Sequence, residues 1–130
     1  MIIDSSVIVA VMRQEPEASR FTRAIELNQP CRISAVNYVE ASVVIDRSGD
    51  PIALRRLEDF YRVSRASIES VTPRHAQIAR QAYRDFGKGR HKAALNLGDC
   101  FAYALAKDLD EPLLFKGEDF KHTDIEIAPY

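Results

Sequence analysis

The sequence predicts an α/β fold in which a mostly parallel β-sheet is flanked by α-helices on both faces. Short apolar segments that read as strands alternate with helical segments of roughly 12 to 15 residues, and this alternation is typical of βαβ units. Several of the most apolar segments also begin or end with a carboxylate. Because ligands bind beyond the carboxyl ends of the strands in open α/β sheets, these acids predict a site at that edge.

The first half of the chain contains two predicted strands and four predicted helices. The strand "MII" is followed by "DSS", which offers capping residues for the helix "VIVAVMRQ". A second helix covers "EPEASRFTRAIELN", and the strand "CRIS" leads into the helix "AVNYVEASVVIDRSG", which ends at Gly49. The apolar stripe of "PIALRRLEDFYRVS" predicts a fourth helix.

The second half continues the alternation. After the strand "SIESV", Thr72 and Pro73 are typical of the N-cap and first turn of the helix "TPRHAQIARQAYRDFG", on whose surface we expect His75. The basic loop "KGRHKAALN" precedes the helix "LGDCFAYALAKDL". The strand "PLLF", the turn "KGEDF" and a last strand "IEIA" complete the prediction.

Length and composition favour one domain over residues 1–130. The net charge of −1 excludes a global basic field, so attraction to nucleic acid would need a local patch or bound metal. Cys31 and Cys100 fit no metal-binding spacing. No signal peptide precedes "MIID", and no apolar run reaches the roughly 20 residues that span a bilayer, which predicts a cytoplasmic protein without a membrane partner.

Two carboxylates lie at predicted helix starts. Asp4 follows the first strand and suits an N-cap as well as a metal ligand, but Ser5 and Ser6 would free it for metal by capping the helix themselves. Asp99 lies in the first turn of a later helix, where the helix dipole favours an acid. Asn96 is placed to cap that helix or to hold Asp99 by a hydrogen bond.

Glu40 lies within a predicted helix, and its neighbours at helical spacing are Val36, Val43 and Val44. This pattern places Glu40 on the apolar side of the helix. A buried carboxylate is costly unless it is paired with a cation. Glu40 therefore predicts either a salt bridge to an arginine or a bound metal ion.

A fourth acid follows the strand "PLLF". Asp119 is the first choice, and Glu118 and Asp124 are the alternatives. Clustered carboxylates raise one another's pKa, and a hard divalent cation removes that conflict. The acids together predict a site for Mg²⁺, with Mn²⁺ able to substitute, of the kind that activates water for phosphodiester cleavage.

The segment "GKGRHK" concentrates positive charge shortly before Asp99. Such a loop is either a solvated charge run or a surface for the phosphate backbone of a nucleic acid. The candidate RNA-binding residues are Lys88, Arg90, His91 and Lys92, with Lys116 from the later loop.

Four segments together resemble the PIN-domain toxins of the VapC family: "MIIDSSVIVAV", "ISAVNYVEASVVI", "LNLGDCFAYALAK" and "PLLFKGEDFKHTDI". They extend over nearly the whole chain in the family's order. The resemblance implies a PIN domain-like fold and an acidic site for Mg²⁺ or Mn²⁺. It also implies an endoribonuclease of a type II toxin–antitoxin system, with a VapB-type antitoxin, an RNA substrate and a homodimer.

Carried over by position, the resemblance makes Asp4, Glu40 and Asp99 the first three catalytic and metal-binding acids. Asp119, which precedes an aromatic residue, becomes the fourth. Ser6 and Asn96 lie where the family has supporting polar residues. Two other functions stay open, namely an RNA-processing PIN nuclease that is not a toxin and a catalytically idle PIN module that only binds.

Overall fold

A four-stranded parallel sheet forms the centre of the protein, as the computed structural model of residues 1–130 shows. The strands, in the spatial order β3-β2-β1-β4, are β1 (Ile2–Ile3), β2 (Arg32–Ser34), β3 (Ser67–Glu69) and β4 (Leu113–Leu114). All neighbouring strands are parallel, so the predicted α/β fold class is confirmed.

Six α-helices connect and cover the strands. Their bounds are α1 (Ser5–Met12), α2 (Ala18–Leu27), α3 (Ala35–Asp46), α4 (Pro51–Ser64), α5 (Pro73–Phe86) and α6 (Leu97–Leu109), and a short 3₁₀ helix covers Asp119–His122. Five of the six helices have an N-cap side chain that accepts a backbone N–H: Asp4, Ser34, Asp50, Thr72 and Asn96. None of the helices combines the length and apolar character needed to cross a bilayer.

The sheet separates two hydrophobic cores, because successive strand residues point to opposite faces. Ile3 and Leu114 pack into the core formed with α1 to α4. Ile2 and Leu113 pack into the core formed with α5, α6 and the C-terminal segment. The predicted last strand over "IEIA" is wrong, since only an isolated bridge forms there, between Ile127 and Leu113.

The strand order places a natural binding crevice between β1 and β4. The chain proceeds from β1 outward through β2 and β3, and it then returns to the other side of β1 as β4. Ligands of open α/β sheets bind where the strand order reverses in this way, at the carboxyl ends of the strands. Asp4 follows β1 directly, and its N–H donates to the carbonyl of Leu114 in β4 at 2.9 Å. The fold therefore brings Asp4 and the loop after β4 to the same crevice.

Candidate active site

An acidic cleft of about 610 Å³ opens at this crevice. Four of its lining residues are the sequence-predicted acids Asp4, Glu40, Asp99 and Asp119. They come from the ends of β1 and β4, from α3 and from the first turn of α6. None of the four takes part in a salt bridge. The cleft is thus a concentration of uncompensated carboxylates that are distant in sequence.

Asp4 is 2% exposed and serves as both helix cap and cleft residue. Its Oδ2 accepts from the N–H of Ser6 at 2.9 Å and from the Ser6 hydroxyl at 2.5 Å, while Oδ1 accepts from the Asn37 amide at 3.3 Å. Of the two possibilities for capping α1, the structure shows Asp4 itself as the N-cap, so neither Ser5 nor Ser6 replaces it there. Burial raises the pKa of Asp4 against the opposing effect of the Ser6 hydrogen bonds, and the nearby charge of Glu40 raises it further.

Glu40 is half-buried and faces the cleft, not the core. The core face of α3 carries Asn37, Ala41 and Ile45. The prediction that Glu40 lies on the apolar side of the helix is therefore wrong, because the core-facing side begins one residue further around the helix. The carboxylate of Glu40 accepts from the Ser5 hydroxyl at 2.6 Å. Of the two alternatives for Glu40, the salt bridge to an arginine does not form, and the carboxylate instead accepts from a neutral hydroxyl.

Gly98 leaves the space in which the Glu40 carboxylate lies. A Cβ atom at position 98 would come within 2.7 Å of the carboxyl carbon of Glu40, and the three nearest heavy atoms all belong to that carboxylate. Any side chain larger than hydrogen would therefore displace Glu40. The glycine of the "GD" pair makes close contact between α3 and α6 possible at the site.

Asp99 combines a structural bond with an unfavourable electrostatic setting. Its carboxylate accepts from the N–H of Asn96 at 2.8 Å, and the Asn96 side chain accepts from the Asp99 N–H at 2.9 Å, which closes a capping box. Burial raises the pKa of Asp99 to about 7 despite this backbone bond, and the charges of Asp4, Asp119 and Glu40 add to the increase. Asp99 is thus held in place where its charged form is disfavoured.

The three candidates for the fourth acid are separated in space. Asp119 is exposed, lines the cleft and contributes to the raised pKa of Asp99. Glu118 pairs with Lys121 at 2.8 Å. Asp124 accepts from the Tyr103 hydroxyl at 2.6 Å and pairs with Lys107, so its carboxylate is engaged elsewhere. Among the three, only Asp119 lines the cleft.

The predicted support residues lie beside the acids. The Ser6 hydroxyl donates to Asp4 and accepts from the N–H of Lys116 at 3.0 Å, which connects the start of α1 to the loop after β4. Asn96 lines the cleft next to Asp99. The ammonium of Lys116 also reaches the cleft, but it forms ion pairs with Glu15 and Glu17.

The basic loop does not line the acidic cleft. Lys88, Arg90 and Lys92 are exposed and do not line the cleft, and Arg90 lines a groove on the other side of the start of α6. His91 is half-buried, and its Nδ1 accepts from the N–H of Ala93 at 3.1 Å. The cationic residue at the cleft that sequence reasoning missed is Arg13, an exposed residue at the end of α1.

Three further residues of the site escaped prediction. Ser5 holds Glu40, Gly98 makes room for it, and Asn37 donates to both Asp4 and the carbonyl of Gly98. Asn37 is fully buried, and its amide oxygen has no hydrogen-bond partner. One signal pointed to Asn37, since it lies three residues before Glu40 in an otherwise apolar run and hence near it on the helix.

The donor set fits a hard divalent cation. All four acids offer carboxylate oxygens, the ligands that Mg²⁺ and Mn²⁺ prefer. The buried carboxylate of Asp4 has no cationic partner, and the amide oxygen of its neighbour Asn37 has no hydrogen-bond partner. Buried polar atoms without a partner in the protein are typical of a site that binds an additional group. No three acidic, histidine or cysteine side chains lie close enough to share one ion as they stand. Asp4, Glu40 and Asp99 instead hydrogen-bond to their neighbours, and ion binding would exchange part of those bonds for ligation.

Comparisons with known proteins identify the family and the fold of the chain. The family model of the PIN domain matches residues 1–126. VapC ribonuclease Mb0640 of Mycobacterium bovis is 47% identical over 126 residues, which cover 96% of this chain and 95% of the relative. The solved structure of VapC20 of Mycobacterium tuberculosis, a sarcin–ricin loop cleaving toxin, aligns with a TM-score of 0.76 at 14% identity over 98% of both chains.

A toxin–antitoxin complex from Klebsiella pneumoniae aligns with a TM-score of 0.73 at 18% identity, over 99% of this chain and 97% of that chain. At such identities the two structures support the fold alone. The family model and the identity to the mycobacterial relative each extend over nearly the whole chain. The chain therefore belongs to the PIN-domain family and, within it, to the VapC ribonucleases.

Proposed function

We propose that this protein is a divalent metal-dependent endoribonuclease, the toxic component of a type II toxin–antitoxin system. The observation that carries the proposal is the cleft itself, which is lined by four carboxylates, none of which forms a salt bridge. Such a cluster is unfavourable in isolation and has a use in chemistry that needs a bound divalent ion. The ribonuclease names of its relatives support RNA as the substrate.

In this proposal Asp4 and Asp99 hold Mg²⁺ or Mn²⁺ together with Glu40 and Asp119. The bound ion supplies activation of water and stabilisation of the charge that develops on the phosphate. The remaining residues keep the carboxylates in position: Ser6 and Asn37 fix Asp4, and Ser5 fixes Glu40.

Arg13 is the cation at the cleft that remains available for RNA. It is exposed and forms no salt bridge, whereas Lys116 is occupied by Glu15 and Glu17. A guanidinium binds a phosphate through two parallel hydrogen bonds. In the proposal, Arg13 positions a phosphate of the RNA backbone at the edge of the acidic cleft.

The test is RNA cleavage by purified, antitoxin-free protein in Mg²⁺, in Mn²⁺ and in EDTA. We expect phosphodiester cleavage with either metal and none in EDTA. Asp119→Asn is expected to lower the rate by roughly tenfold or more, because it removes one ligand from the metal site. Cleavage that persists in EDTA contradicts the proposal.

Asp124→Asn is the matched control, since it removes the same charge from the same loop region outside the cleft. It should leave the cleavage rate within about twofold while it weakens the surface ion pair with Lys107 by no more than about 1 kcal/mol. If Asp124→Asn lowers the cleavage rate more than Asp119→Asn does, Asp124 and not Asp119 is the fourth acid of the site. No cleavage of any RNA by folded protein would favour the binding module.

We further propose inhibition by a VapB-type antitoxin that brings an arginine to the cleft. Four acids and few free cations make the cleft attractive to a guanidinium, which binds carboxylates bidentately. Changing the arginines of the antitoxin's C-terminal segment to alanine should restore cleavage, and inhibition that survives these changes would refute this mode. We also propose that the protein forms a homodimer. Sedimentation velocity, which measures the mass of the particle in solution, tests this.

A further inference from the structure

A second concave surface lies between α5 and α6, on the side of α6 away from the acidic cleft. This α5–α6 groove has a volume of about 540 Å³. Its cationic lining residues are Arg80, Arg84 and Arg90, and its apolar and aromatic lining includes Tyr83, Leu97 and Phe101. The proposed function uses none of these side chains, and Arg90 alone was among the candidate RNA-binding residues predicted from the sequence.

The arginines of the groove have no acidic partners. Arg80 and Arg84 lie one turn apart on α5, both are exposed, and neither forms a salt bridge. Residues 73–92 carry six Arg or Lys side chains and one acid, in a protein with a net charge of −1. Positive charge is thus concentrated on one element and its following loop, which favours a polyanionic ligand.

The aromatic part of the groove is preorganised. The Arg90 guanidinium lies over the Tyr83 ring at 5.7 Å from its centroid. Gly87 allows this packing, because a Cβ at that position would lie 2.6 Å from a ring carbon of Tyr83. The loop behind it is fixed to α5 by the N–H of Leu95, which donates to the carbonyl of Phe86 at 3.0 Å.

The groove and the acidic cleft share the first turn of α6. Leu97, which is 73% exposed, lines the groove, and its neighbour Asn96 lines the cleft. Phe101 in the groove lies only two residues from Asp99 in the cleft. A ligand bound in one can therefore continue into the other across the start of α6.

We propose that the α5–α6 groove binds a single-stranded segment of RNA that flanks the bond to be cut. This inference rests on the proposed ribonuclease function. Unpaired arginines beside exposed aromatic and apolar faces suit a sugar-phosphate backbone with unstacked bases, since every base offers a face for stacking. A double helix hides those faces, so single strands bind more tightly than duplexes of the same length.

The experiment measures binding in EDTA, where no metal-dependent cleavage occurs. A fluorescein-labelled 12-nucleotide single strand and a blunt RNA duplex of the same length are titrated with protein over a salt series, and anisotropy is recorded. Arg80→Gln/Arg84→Gln is expected to weaken single-strand binding roughly tenfold at about 0.1 M salt and to reduce the log–log salt slope by about 1.4. Tyr83→Leu should weaken binding about fivefold or more and leave the salt slope unchanged.

Arg55→Gln/Arg56→Gln on α4 is the matched control, because it removes two exposed arginines outside the groove. It should change the affinity for RNA by less than about twofold and the log–log salt slope by less than about 0.3. Unchanged binding by the Arg80/Arg84 variant, or no RNA binding by the unaltered protein, overturns the proposal. So does loss of self-association by that variant without loss of RNA affinity, which would make the groove a contact between two copies.

The same measurements separate this inference from the proposed function. If RNA binding depends on the groove but the protein cuts no RNA, the groove proposal is supported and the proposed nuclease function is refuted. If the protein cuts RNA in a metal-dependent way but the Arg80 and Arg84 substitutions leave RNA binding unchanged, the nuclease function is supported and the groove proposal is refuted.

Discussion

Asp99→Asn is expected to abolish RNA cleavage and at the same time to stabilise the metal-free protein near and above pH 7. The loss of activity should be on the order of 10³-fold, because in the proposed function Asp99 is one of the negatively charged metal ligands of the acidic cleft. The fold should survive, since the amide oxygen of Asn can still accept the N–H of Asn96 that closes the capping box.

The gain in stability follows from the raised pKa of Asp99. Burial brings that pKa to about 7, with further contributions from Asp4, Asp119 and Glu40, whereas an unfolded aspartate titrates near about 4. Between these values the folded protein binds more protons than the unfolded chain, so the free energy of unfolding decreases as pH rises from about 4 to about 7. The penalty is complete above the folded pKa, and Asn removes it.

Chemical unfolding in EDTA at pH 5 and at pH 8 measures this effect. The advantage of Asp99→Asn over the unaltered protein should grow with pH, to on the order of 2 to 3 kcal/mol after allowance for the partial exposure of Asp99. Asp110→Asn, at the other end of α6, is the control and should run parallel to the unaltered protein. An advantage that stays constant with pH would contradict the electrostatic account.

Gly98→Ala is expected to lower cleavage by roughly 10- to 100-fold while it changes the free energy of unfolding by less than about 1 kcal/mol. A Cβ at this position conflicts with the Glu40 carboxylate and with no nearer atom. That carboxylate ends a flexible side chain, so it can swing away at little cost to stability. It then loses the Ser5 hydroxyl and its place in the cleft.

A double-mutant cycle with Glu40→Ala tests this explanation. In the Glu40→Ala background, Gly98→Ala should have no further effect on cleavage, because the side chain that it displaces is already gone. Independent, multiplicative losses would show that Gly98 acts on the site by another route. Circular dichroism of all three variants checks that α6 still forms.

The general fold was predictable from local pattern and capping chemistry. Short β-branched segments between longer helical segments indicated the parallel sheet, and Thr72 with Pro73 placed the start of α5 correctly. The carboxylates at the ends of apolar segments indicated a common site, because the sheet topology gathers strand ends at one edge. The structure brings Asp4, Glu40, Asp99 and Asp119 to one cleft there.

The wrong predictions concern residues whose position depends on contacts between elements that are distant in sequence. His75 was expected on the surface of α5 but is buried, because its ring completes a capping box with Thr72 and reaches Asp108 at 2.9 Å. Glu40 faces a cleft that exists only after α3 and α6 meet at Gly98. The basic loop precedes Asp99 in sequence, yet its exposed side chains do not line the cleft, and Arg90 lines a groove on the other side of α6.

The pairing of β1 with β4 also determines when the acidic cleft can form during synthesis of the chain. Asp4 leaves the ribosome long before β4 and Asp119, because these are made more than a hundred residues later in the chain. A nascent chain that has not yet released residues 113–119 lacks one side of the cleft. The acidic site can therefore be complete only after translation of this segment is over.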